Sequence, residues 1–297
     1  MTDKLKLLAI FAHPDDESMG LGGVLAKYAA EGIETYLVCA TRGERGWWDS
    51  EGPNPGLEGV GRIRTQELEN AGKVLGLKEI RFLNYIDGDL DQANPTEAVG
   101  RIVAHLRRIK PHVVVTFAHD GAYGHPDHIA ISQFTNAAIL CAADSNYADA
   151  EKQPAHRVSK LYYYVDSEPF ANFFMKYLGE IEFPVDDHIR GEAAWKDWMI
   201  TTQVDVSSWW RKAWEAILCH KSQLPSLGPL LELPEDEVRQ LLTLQGSFYR
   251  AMSLVNGGRK RETDLFEGLN KLDLTGLKTC ESVCYIFCFI ENFNAVL

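Results

Sequence analysis

The stretch L-K-L-L-A-I-F-A-H-P-D-D-E, residues 5–17, joins an apolar run to a histidine, a proline and three acids. Its apolar part, Leu5–Ala12, has the length and composition of a buried β-strand. Further strand-like runs follow at Thr35–Ala40, Ile80–Leu83, His112–Phe117 and Leu161–Val165. The polar part therefore begins where a strand ends, which is the edge at which open α/β sheets bind their ligands.

Helix-like stretches alternate with these strands. They cover Gly20–Ala30, Arg62–Leu75, Pro95–Ile109 and Ile129–Ala142. Gly32, Gly76 and the pair Lys110-Pro111 stand at their ends, as helix stops should. The alternation predicts an α/β fold, a Rossmann-like, doubly wound and mostly parallel sheet with helices on both faces. A dinucleotide site is not expected, because Leu25 stands where a G-x-G-x-x-G pattern requires glycine.

The pattern changes beyond about residue 200, where the chain becomes helix-like and rich in tryptophan. Ser207–Gln223 and Pro234–Tyr249 are predicted helices. We expect a single domain over residues 1–297, with a Rossmann-like α/β core at 1–168 and a helical C-terminal extension at 169–297 packed on it. The apolar tail carries three cysteines at every fourth residue, a stripe that favours packing over a metal or disulfide role: Cys280, Cys284 and Cys288.

The composition excludes several kinds of partner. A formal net charge of −12 disfavours nucleic acid and anionic membranes. The apolar run at 283–290 is far shorter than the ~20 residues that span a bilayer, and the N-terminal residues do not resemble a secretory signal. We therefore expect a cytoplasmic protein with a small-molecule partner and no membrane span. Assembly into a homo-oligomer is compatible with this composition.

A second polar stretch, H-D-G-A-Y-G-H-P-D-H at residues 119–128, follows the fourth predicted strand. The first and fourth strands flank the crevice of a doubly wound sheet, so the two stretches are expected to face each other. His13 and Asp16 are three residues apart, and so are His125 and His128. Two histidines and one aspartate with an open position describe a catalytic zinc site. The same donor types also accept Fe(II), Mn(II) or Co(II).

The first stretch alone has a simpler explanation. Asp15, Asp16 and Glu17 stand at a helix start, where acids accept from free N–H groups and interact favourably with the helix dipole. A second histidine- and aspartate-rich stretch at another strand end favours the metal site. Capping and metal ligation are compatible.

The remaining polar residues suggest metal-assisted amide hydrolysis. A bound zinc lowers the pKa of its water to about 7 and polarises a carbonyl group. Asp15 is placed to act as general base, and His125 to protonate the leaving nitrogen or to stabilise the oxyanion. Asp127 would orient the His125 imidazolium, and Tyr123 offers its hydroxyl to the same oxyanion.

The pair A-H-P-D-D-E at residues 12–17 and G-H-P-D-H at residues 124–128 resembles the LmbE-like (PIG-L) family of zinc-dependent N-acetylglucosamine deacetylases. The resemblance implies a Rossmann-like fold. It also implies that the zinc ligands are His13, Asp16 and His128, and that the base is Asp15. It covers about residues 5 to 270, and the tail beyond about residue 272 resembles nothing familiar.

Weaker resemblances suggest substrate contacts. The stretches similar to other parts of the family are T-R-G-E-R-G at 41–46, R-T-Q-E-L-E-N-A-G-K-V-L-G at 64–76, D-G-D-L at 87–90, C-H-K-S-Q at 219–223 and E-T-D-L-F at 262–266. They imply that Arg64, Asp87 and Glu44 bind substrate. The alternatives are a solvated helix face for Arg64 and a turn for Asp87.

Four further residues have two explanations each. His119 follows a strand end as His13 does and competes as a ligand. Because it stands outside the H-P-D-H pattern, a structural hydrogen bond near the site is the favoured explanation. Trp47 and Trp48 could stack on a sugar or anchor a long loop. His220 could join the site or lie in the core.

Together these patterns predict a metal-dependent hydrolase that removes the N-acetyl group from an N-acetylglucosaminyl small molecule or glycoconjugate, giving a glucosamine derivative and acetate. One alternative is an amidase that cleaves a larger acyl group from a sugar–thiol conjugate. Another is a non-enzymatic metal- or sugar-binding module, which a missing base would favour. A metal phosphoesterase is a third, but that chemistry commonly needs more ligands than the two stretches supply.

Overall fold

A computed structural model of the chain describes residues 4–48, 52–148, 151–179, 182–185, 187–191 and 193–269. Within these ranges the strands are β1 (Lys6–Phe11), β2 (Glu34–Thr41), β3 (Glu79–Tyr85), β4 (Val113–Phe117), β5 (Lys160–Tyr164), β6 (Glu182–Val185), β7 (His188–Gly191), β8 (Thr202–Gln203) and β9 (Ser247–Ser253). The helices are α1 (Asp16–Ala30), α2 (Gly56–Leu75), α3 (Pro95–Ile109), α4 (Gly121–Gly124), α5 (Pro126–Ala143), α6 (Glu168–Leu178), α7 (Trp210–Ile217), α8 (Gly228–Leu231) and α9 (Glu235–Thr243). Short 3-10 helices cover Leu90–Gln92, Asp197–Met199 and Lys221–Leu227.

The main sheet has seven strands in the order β3-β2-β1-β4-β5-β9-β8. Strands β1 to β5 pair in parallel, whereas β9 and β8 are antiparallel to their neighbours. The predicted α/β fold with a mostly parallel sheet is therefore confirmed. Strand β1 lies between β2 and β4, at the point where the strand order reverses, so the loops after β1 and β4 open at the same edge.

The central strands are buried on both faces, which explains their continuous apolar sequences. Residues 7–12 of β1 and its C-terminal neighbour are fully buried, as are Val113, Val114 and Val115 of β4. Such runs are typical of parallel sheets that are covered by helices on each side.

The C-terminal part contains strands as well as helices, so the expectation of a helical extension is incomplete. Strands β8 and β9 extend the main sheet, and β6 and β7 form a separate hairpin. The predicted helix Pro234–Tyr249 is wrong in its second half, because α9 ends at Thr243 and β9 begins at Ser247. Between them Gly246 has a φ of 92°, and a Cβ there would clash with the carbonyl oxygen of Val204. Glycine is required at this turn.

The extension packs directly on α1. A Cβ at Gly22 would lie 3.2 Å from Ala213 of α7, and a Cβ at Gly23 would lie 3.0 Å from Val206. The two glycines therefore let the helix that begins at the first polar stretch approach the C-terminal part closely.

No helix within the described ranges is both long and apolar enough to cross a bilayer. Cys39, Cys141 and Cys219 are free thiols. The predicted stripe of Cys280, Cys284 and Cys288 lies outside the described residues.

A buried ion pair joins the extension to the core sheet. Glu262 is 2% exposed and accepts from the Lys160 ammonium at 2.7 Å and from the Arg250 guanidinium at 2.9 Å. The hydroxyl groups of Tyr162 and Thr202 donate to its other oxygen, each at 2.7 Å. Burial would raise the pKa of Glu262, but these hydrogen bonds, led by that from Lys160, lower it to about 2. A single carboxylate thus connects β5, β8 and β9.

We expect Glu262→Gln to lower the free energy of unfolding by about 3 kcal/mol at pH 7, because it leaves the Lys160 charge buried without its partner. Urea denaturation followed by circular dichroism measures this change. The control is Glu232→Gln at an exposed position, which should alter stability by less than about 0.5 kcal/mol. Equal effects of the two substitutions would show that the buried pair does not hold the extension.

Candidate active site

The loop after β1 has an unusual backbone conformation. Asp15 has φ 118° and ψ −27°, a region that residues other than glycine rarely adopt. Its N–H donates to Glu17 Oε2 at 3.1 Å, and its carbonyl accepts from the N–H groups of Ser18 and Met19 as α1 begins. Non-glycine residues keep such conformations where the surroundings impose them, often at functional sites.

Arg64 on α2 stabilises this loop through hydrogen bonds. Its guanidinium donates to the Asp15 carboxylate at 3.0 Å and to the carbonyl oxygens of Pro14 at 2.6 Å and Gly43 at 3.0 Å. The side chain is 4% exposed. Burial raises the pKa of Asp15, and the nearby Arg64 charge opposes that shift. The sequence suggested substrate contact for Arg64, whereas the structure places its guanidinium on Asp15.

The loop after β4 orients two histidines. His125 precedes α5, and its Nδ1 accepts from the Asp127 N–H at 3.1 Å. His128 lies in the first turn of α5, stacked on Phe117 with ring centroids 3.9 Å apart. Its Nδ1 lies 3.2 Å from the carbonyl oxygen of Gly121. Because a carbonyl only accepts, the proton of neutral His128 is on Nδ1 and its Nε2 carries a lone pair.

The two loops converge at His13, Asp16 and His128. Nδ1 of His13 lies 3.2 Å from Nε2 of His128 and 3.8 Å from Oδ2 of Asp16. Nε2 of His128 lies 3.5 Å from Oδ1 of Asp16. A tetrahedral ion with bonds of ~2.0–2.1 Å separates its ligand atoms by roughly 3.3 Å. These spacings fit such an ion.

The outer nitrogen of His13 faces two carboxylates. Nε2 lies 3.0 Å from Asp87 Oδ1 and 3.2 Å from Asp127 Oδ2. Asp127 is fully buried and also accepts from the N–H groups of Gly88 at 2.7 Å and Leu90 at 3.1 Å. A carboxylate on the outer nitrogen of a histidine fixes its ring orientation and directs the other nitrogen at a metal.

These contacts differ from two expectations. Asp127 was expected to orient His125, but its carboxylate contacts His13. Asp87 was expected near a sugar, but its carboxylate lies behind the same ring. Nothing in the sequence indicates which ring nitrogen of His13 faces which neighbour.

The electrostatics of the cluster favour binding of a cation. Burial would lower the pKa of His13, but the hydrogen bonds to Asp127 and Asp87 and the charge of Asp16 raise it well above its usual value. Burial and the His13 charge lower the pKa of His128. Burial raises the pKa of Asp16 to about 7. In the metal-free protein, His13 therefore carries the proton between the two facing ring nitrogens.

His125 lies close to the same point. Ring nitrogens of His13, His125 and His128 all lie within 4.8 Å of one another, and a second such set joins His13 to Asp87 and Asp127 around its outer nitrogen. Asp16 approaches the two predicted histidine ligands with different oxygens. Its Oδ2 also accepts from the N–H groups of Ala12 and His13 at 3.1 and 2.8 Å. Imidazole nitrogens with a carboxylate fit Zn²⁺ or Fe²⁺.

The predicted residues Tyr123 and Glu44 lie in different surroundings. The Tyr123 ring centroid is 5.2 Å from that of His128 and 6.0 Å from that of His125, so its ring lies beside the cluster. Burial raises the pKa of Tyr123, which keeps its hydroxyl protonated. Glu44 is buried and accepts from the N–H groups of Arg42 and Asp87, each at 3.2 Å. Glu44 therefore orders the loop that carries Asp87.

The C-terminal extension reaches the site through the C-H-K-S-Q stretch. Nε2 of His220 lies 2.9 Å from Glu17 Oε1, and Glu17 in turn accepts from the N–H of Asp15. Gln223 donates to the carbonyl of Gly46 at 2.9 Å. His220 is thus buried beside the site, and its contact runs through Glu17 to the loop that carries Asp15.

A second contact holds the same stretch. Glu67 on α2 accepts from the N–H and the hydroxyl of Ser222 at 2.8 and 2.7 Å. The sequence suggested only a capping role for Glu17 and none for Glu67 or Ser222. These three residues stand in the motifs A-H-P-D-D-E, R-x-x-E and C-H-K-S-Q, whose joint presence is a signal that they belong to one site. Which motif contacts which depends on the fold.

The other open residues lie apart from the cluster. His119 is exposed, and its ring packs against Trp195 with centroids 6.0 Å apart. Trp47 donates its indole N–H to the carbonyl of Gly52 at 3.1 Å, a loop-anchoring contact. Trp48 is 44% exposed.

Two cavities adjoin the cluster and share Asp16, Met19 and Tyr123 as wall residues. One has a volume of about 200 Å³ and includes Asp15, and the other has a volume of about 110 Å³ and includes His128. A larger groove of about 560 Å³ along α2 includes Glu44 but none of the converging histidines. The two smaller cavities are therefore the candidates for substrate binding, because Asp15, Asp16 and His128 lie in their walls.

Comparison with known proteins agrees with this geometry. Residues 8–139 match the family described as PIG-L: GlcNAc-PI de-N-acetylase. A 1D-myo-inositol 2-acetamido-2-deoxy-alpha-D-glucopyranoside deacetylase of Streptomyces avermitilis is 33% identical over 297 residues, covering 89% of this chain and 97% of the relative. The chain belongs to the PIG-L (LmbE-like) family. The resemblance seen in the sequence is therefore confirmed.

Two further proteins extend the PIG-L comparison. A mycothiol S-conjugate amidase of Streptomyces coelicolor is 29% identical over 296 residues, covering 91% of this chain and 99% of the relative. The structure of N,N'-diacetylchitobiose deacetylase from Pyrococcus horikoshii has a TM-score of 0.58 and 23% identity, covering 79% of this chain and 73% of that one. It shares the fold. PIG-L deacetylases are metal-dependent, and this chain places residues that could hold an ion at the corresponding motifs.

We expect Asp16→Ala and His128→Ala each to lose bound metal, because each removes one of three converging donors. Elemental analysis after zinc loading and desalting should give about one ion per wild-type chain and little in either variant. His119→Ala is the matched control, since His119 is exposed on the same loop, and it should keep the metal. Full retention in the first two variants would contradict the site.

We also expect metal binding to release between one and two protons near pH 7. The raised pKa of His13 keeps this ring protonated, the Asp16 pKa of about 7 leaves that carboxyl partly protonated, and a ligand must be deprotonated. Affinity should therefore increase with pH until His13 loses its proton unaided. Calorimetry in buffers of different ionisation enthalpy counts the protons. A pH-independent affinity without proton release would exclude His13 as a ligand.

Proposed function

We propose that this chain is a metal-dependent hydrolase that removes the N-acetyl group from an N-acetylglucosaminyl small molecule or glycoconjugate, giving a glucosamine derivative and acetate. The observation that carries the proposal is the Asp15 carboxylate, held by Arg64 at 3.0 Å beside the converging His13, Asp16 and His128. A base next to a three-donor cluster is what metal-assisted amide hydrolysis requires. The names of the deacetylase and amidase relatives support the same reaction class.

We assign the metal ligands to His13, Asp16 and His128, and the ion to Zn²⁺, with Fe²⁺ as the alternative. When bound, such an ion polarises the scissile carbonyl and acidifies water. Asp87 and Asp127 act as positioning residues, because they hold the outer nitrogen of His13 and direct Nδ1 at the cluster. Free thiols at Cys39, Cys141 and Cys219 agree with a proposed location in the reducing cytoplasm.

We assign proton transfer to Asp15 and stabilisation of the oxyanion to His125. Asp15 takes the proton of the attacking water, and Arg64 stabilises its carboxylate in the geometry for that step. Nδ1 of His125 accepts from the Asp127 N–H, so neutral His125 carries its proton on Nε2. That N–H and the Tyr123 hydroxyl are the donors proposed for the oxyanion. Asp15 then passes the proton that it took from water to the nitrogen of the departing amine, which leaves Asp15 as a carboxylate again.

A second candidate function is cleavage of a larger acyl group from a sugar–thiol conjugate. It would use the same base and the same ligands. The similarity to the Streptomyces coelicolor amidase and the presence of a cavity on each side of Asp16 favour keeping it. The two functions differ in the acyl group and not in the chemistry.

We expect Asp15→Asn to lower kcat for acetate release from N-acetylglucosamine conjugates by about 10²- to 10⁴-fold, because it removes the general base. Metal content should stay at the wild-type value, since Asp15 is not a proposed ligand. The control is Asp91→Asn at an exposed position, which should leave kcat unchanged. Sugar binding without turnover in the metal-loaded wild type would instead indicate a binding module, and phosphate release would indicate a phosphoesterase.

A further inference from the structure

The smaller cavity beside the cluster has an aromatic wall. Its volume is about 110 Å³, and Phe117, Tyr164, Phe170 and Phe174 line it together with Asp16 and His128 at the cluster. Phe170 and Phe174 belong to α6 and stack with ring centroids 5.9 Å apart. The cavity therefore begins at the proposed reaction centre and ends against the C-terminal part of the chain.

The second cavity beside the cluster has a volume of about 200 Å³ and a mixed wall. Its polar residues include Asp15, His220 and Gln223, and its apolar residues are Met19, Ile217 and Leu227. Both cavities reach Asp16 and Tyr123, so an amide bound at these residues can extend into both. The sugar is the larger part of the substrate and needs polar partners, so it fits the second cavity. The acyl group fits the aromatic cavity, because apolar groups gain free energy when they leave water.

The volume of the aromatic cavity exceeds what an acetyl group fills. A cavity of about 150 Å³ with apolar walls holds a benzene molecule, and one water takes about 30 Å³ of liquid. By this scale about 110 Å³ accommodates roughly four carbons, whereas the methyl of an acetyl group occupies about the space of one water. An acetyl substrate would leave most of the aromatic wall without contact.

Local packing gives the cavity its shape. A Cβ at Gly20 would lie 3.0 Å from the Tyr164 ring, so the absence of a side chain there lets that ring lie against α1. The Tyr164 hydroxyl donates to Asp166, the second acid at this wall after Asp16. Burial raises the pKa of Asp166 to about 6, and the hydrogen bond from Tyr164 opposes that shift. Phe174 is half-buried and lines the cavity from α6, the element that carries the aromatic wall away from the cluster.

We propose that this cavity is an acyl subsite for a short saturated chain of about four carbons, so that the chain hydrolyses N-butyryl-glucosamine derivatives in preference to N-acetyl ones. The inference rests on the proposed function, whose amide chemistry it keeps, and it adds the acyl class of the substrate. Phe174 is the residue that we expect to limit chain length.

The test is kcat/KM of the zinc-loaded enzyme on glucosamine bearing N-acetyl, N-propionyl, N-butyryl, N-hexanoyl and N-octanoyl groups. Each methylene up to butyryl should raise kcat/KM about three- to five-fold, because it buries apolar surface, and octanoyl should be poor. Phe174→Ala should shift the optimum to hexanoyl or longer, and Phe174→Leu should shift it less. The matched control is Phe173→Ala on the same helix, whose ring packs on Tyr177 at 5.1 Å, and it should keep the wild-type profile.

A binding measurement separates failure of the subsite from failure of the reaction. Calorimetry with zinc-loaded Asp15→Asn and the same N-acyl-glucosamines should give affinities that increase from acetyl to butyryl. If wild-type kcat/KM is highest for acetyl and decreases with every methylene, the subsite is wrong and the deacetylase proposal stands. If no acyl group is released, the proposed function fails. Affinities that still increase with chain length would then support the subsite, and equal affinities would exclude it.

Discussion

Both ring nitrogens of His13 have defined neighbours, and the rest of the site depends on that arrangement. Nε2 faces Asp87 and Asp127, and Nδ1 faces His128 and Asp16. These neighbours follow β1, β3 and β4, whose C-terminal ends share one edge of the sheet. Burying so many carboxylates near one point is costly unless cationic groups accompany them. The strand order therefore determines which charged groups meet at the site, and these groups must balance one another for the fold to be stable.

The site also requires the C-terminal part of the chain. The strained backbone at Asp15 is held by Glu17, and Glu17 is held by His220, which lies more than two hundred residues away. Arg64 binds the carboxylate of the same aspartate, whereas Glu17 binds its backbone N–H. The proposed base is thus positioned by α2 and by the extension, although it belongs to the first loop. A search restricted to the two histidine-rich motifs would miss these supports.

Much of the fold and the centre of the site could be predicted from the sequence, because both rest on local signals. Apolar runs and glycine stops predicted the five parallel strands, and two motifs at strand ends predicted that His13, Asp16 and His128 lie close together, as their side chains do. The partners of His13 could not be predicted, because they depend on ring orientation. The predicted helix at 234–249 included the start of β9, because this segment is helix-like apart from the glycine at 246. The aromatic cavity depends on where α6 packs, which no local pattern records.

The buried pair between β5 and Glu262 has a consequence for synthesis of the protein. The ammonium of Lys160 and its carboxylate partner are 102 residues apart in the chain. At about 5–20 residues per second, the ribosome adds that segment in roughly 5 to 20 seconds. During this interval β5 has no antiparallel neighbour and its lysine has no counter-charge, so the edge of the sheet stays hydrated and open to other strands. Nascent chains that already contain both histidine motifs are therefore expected to need protection by chaperones until the extension is released.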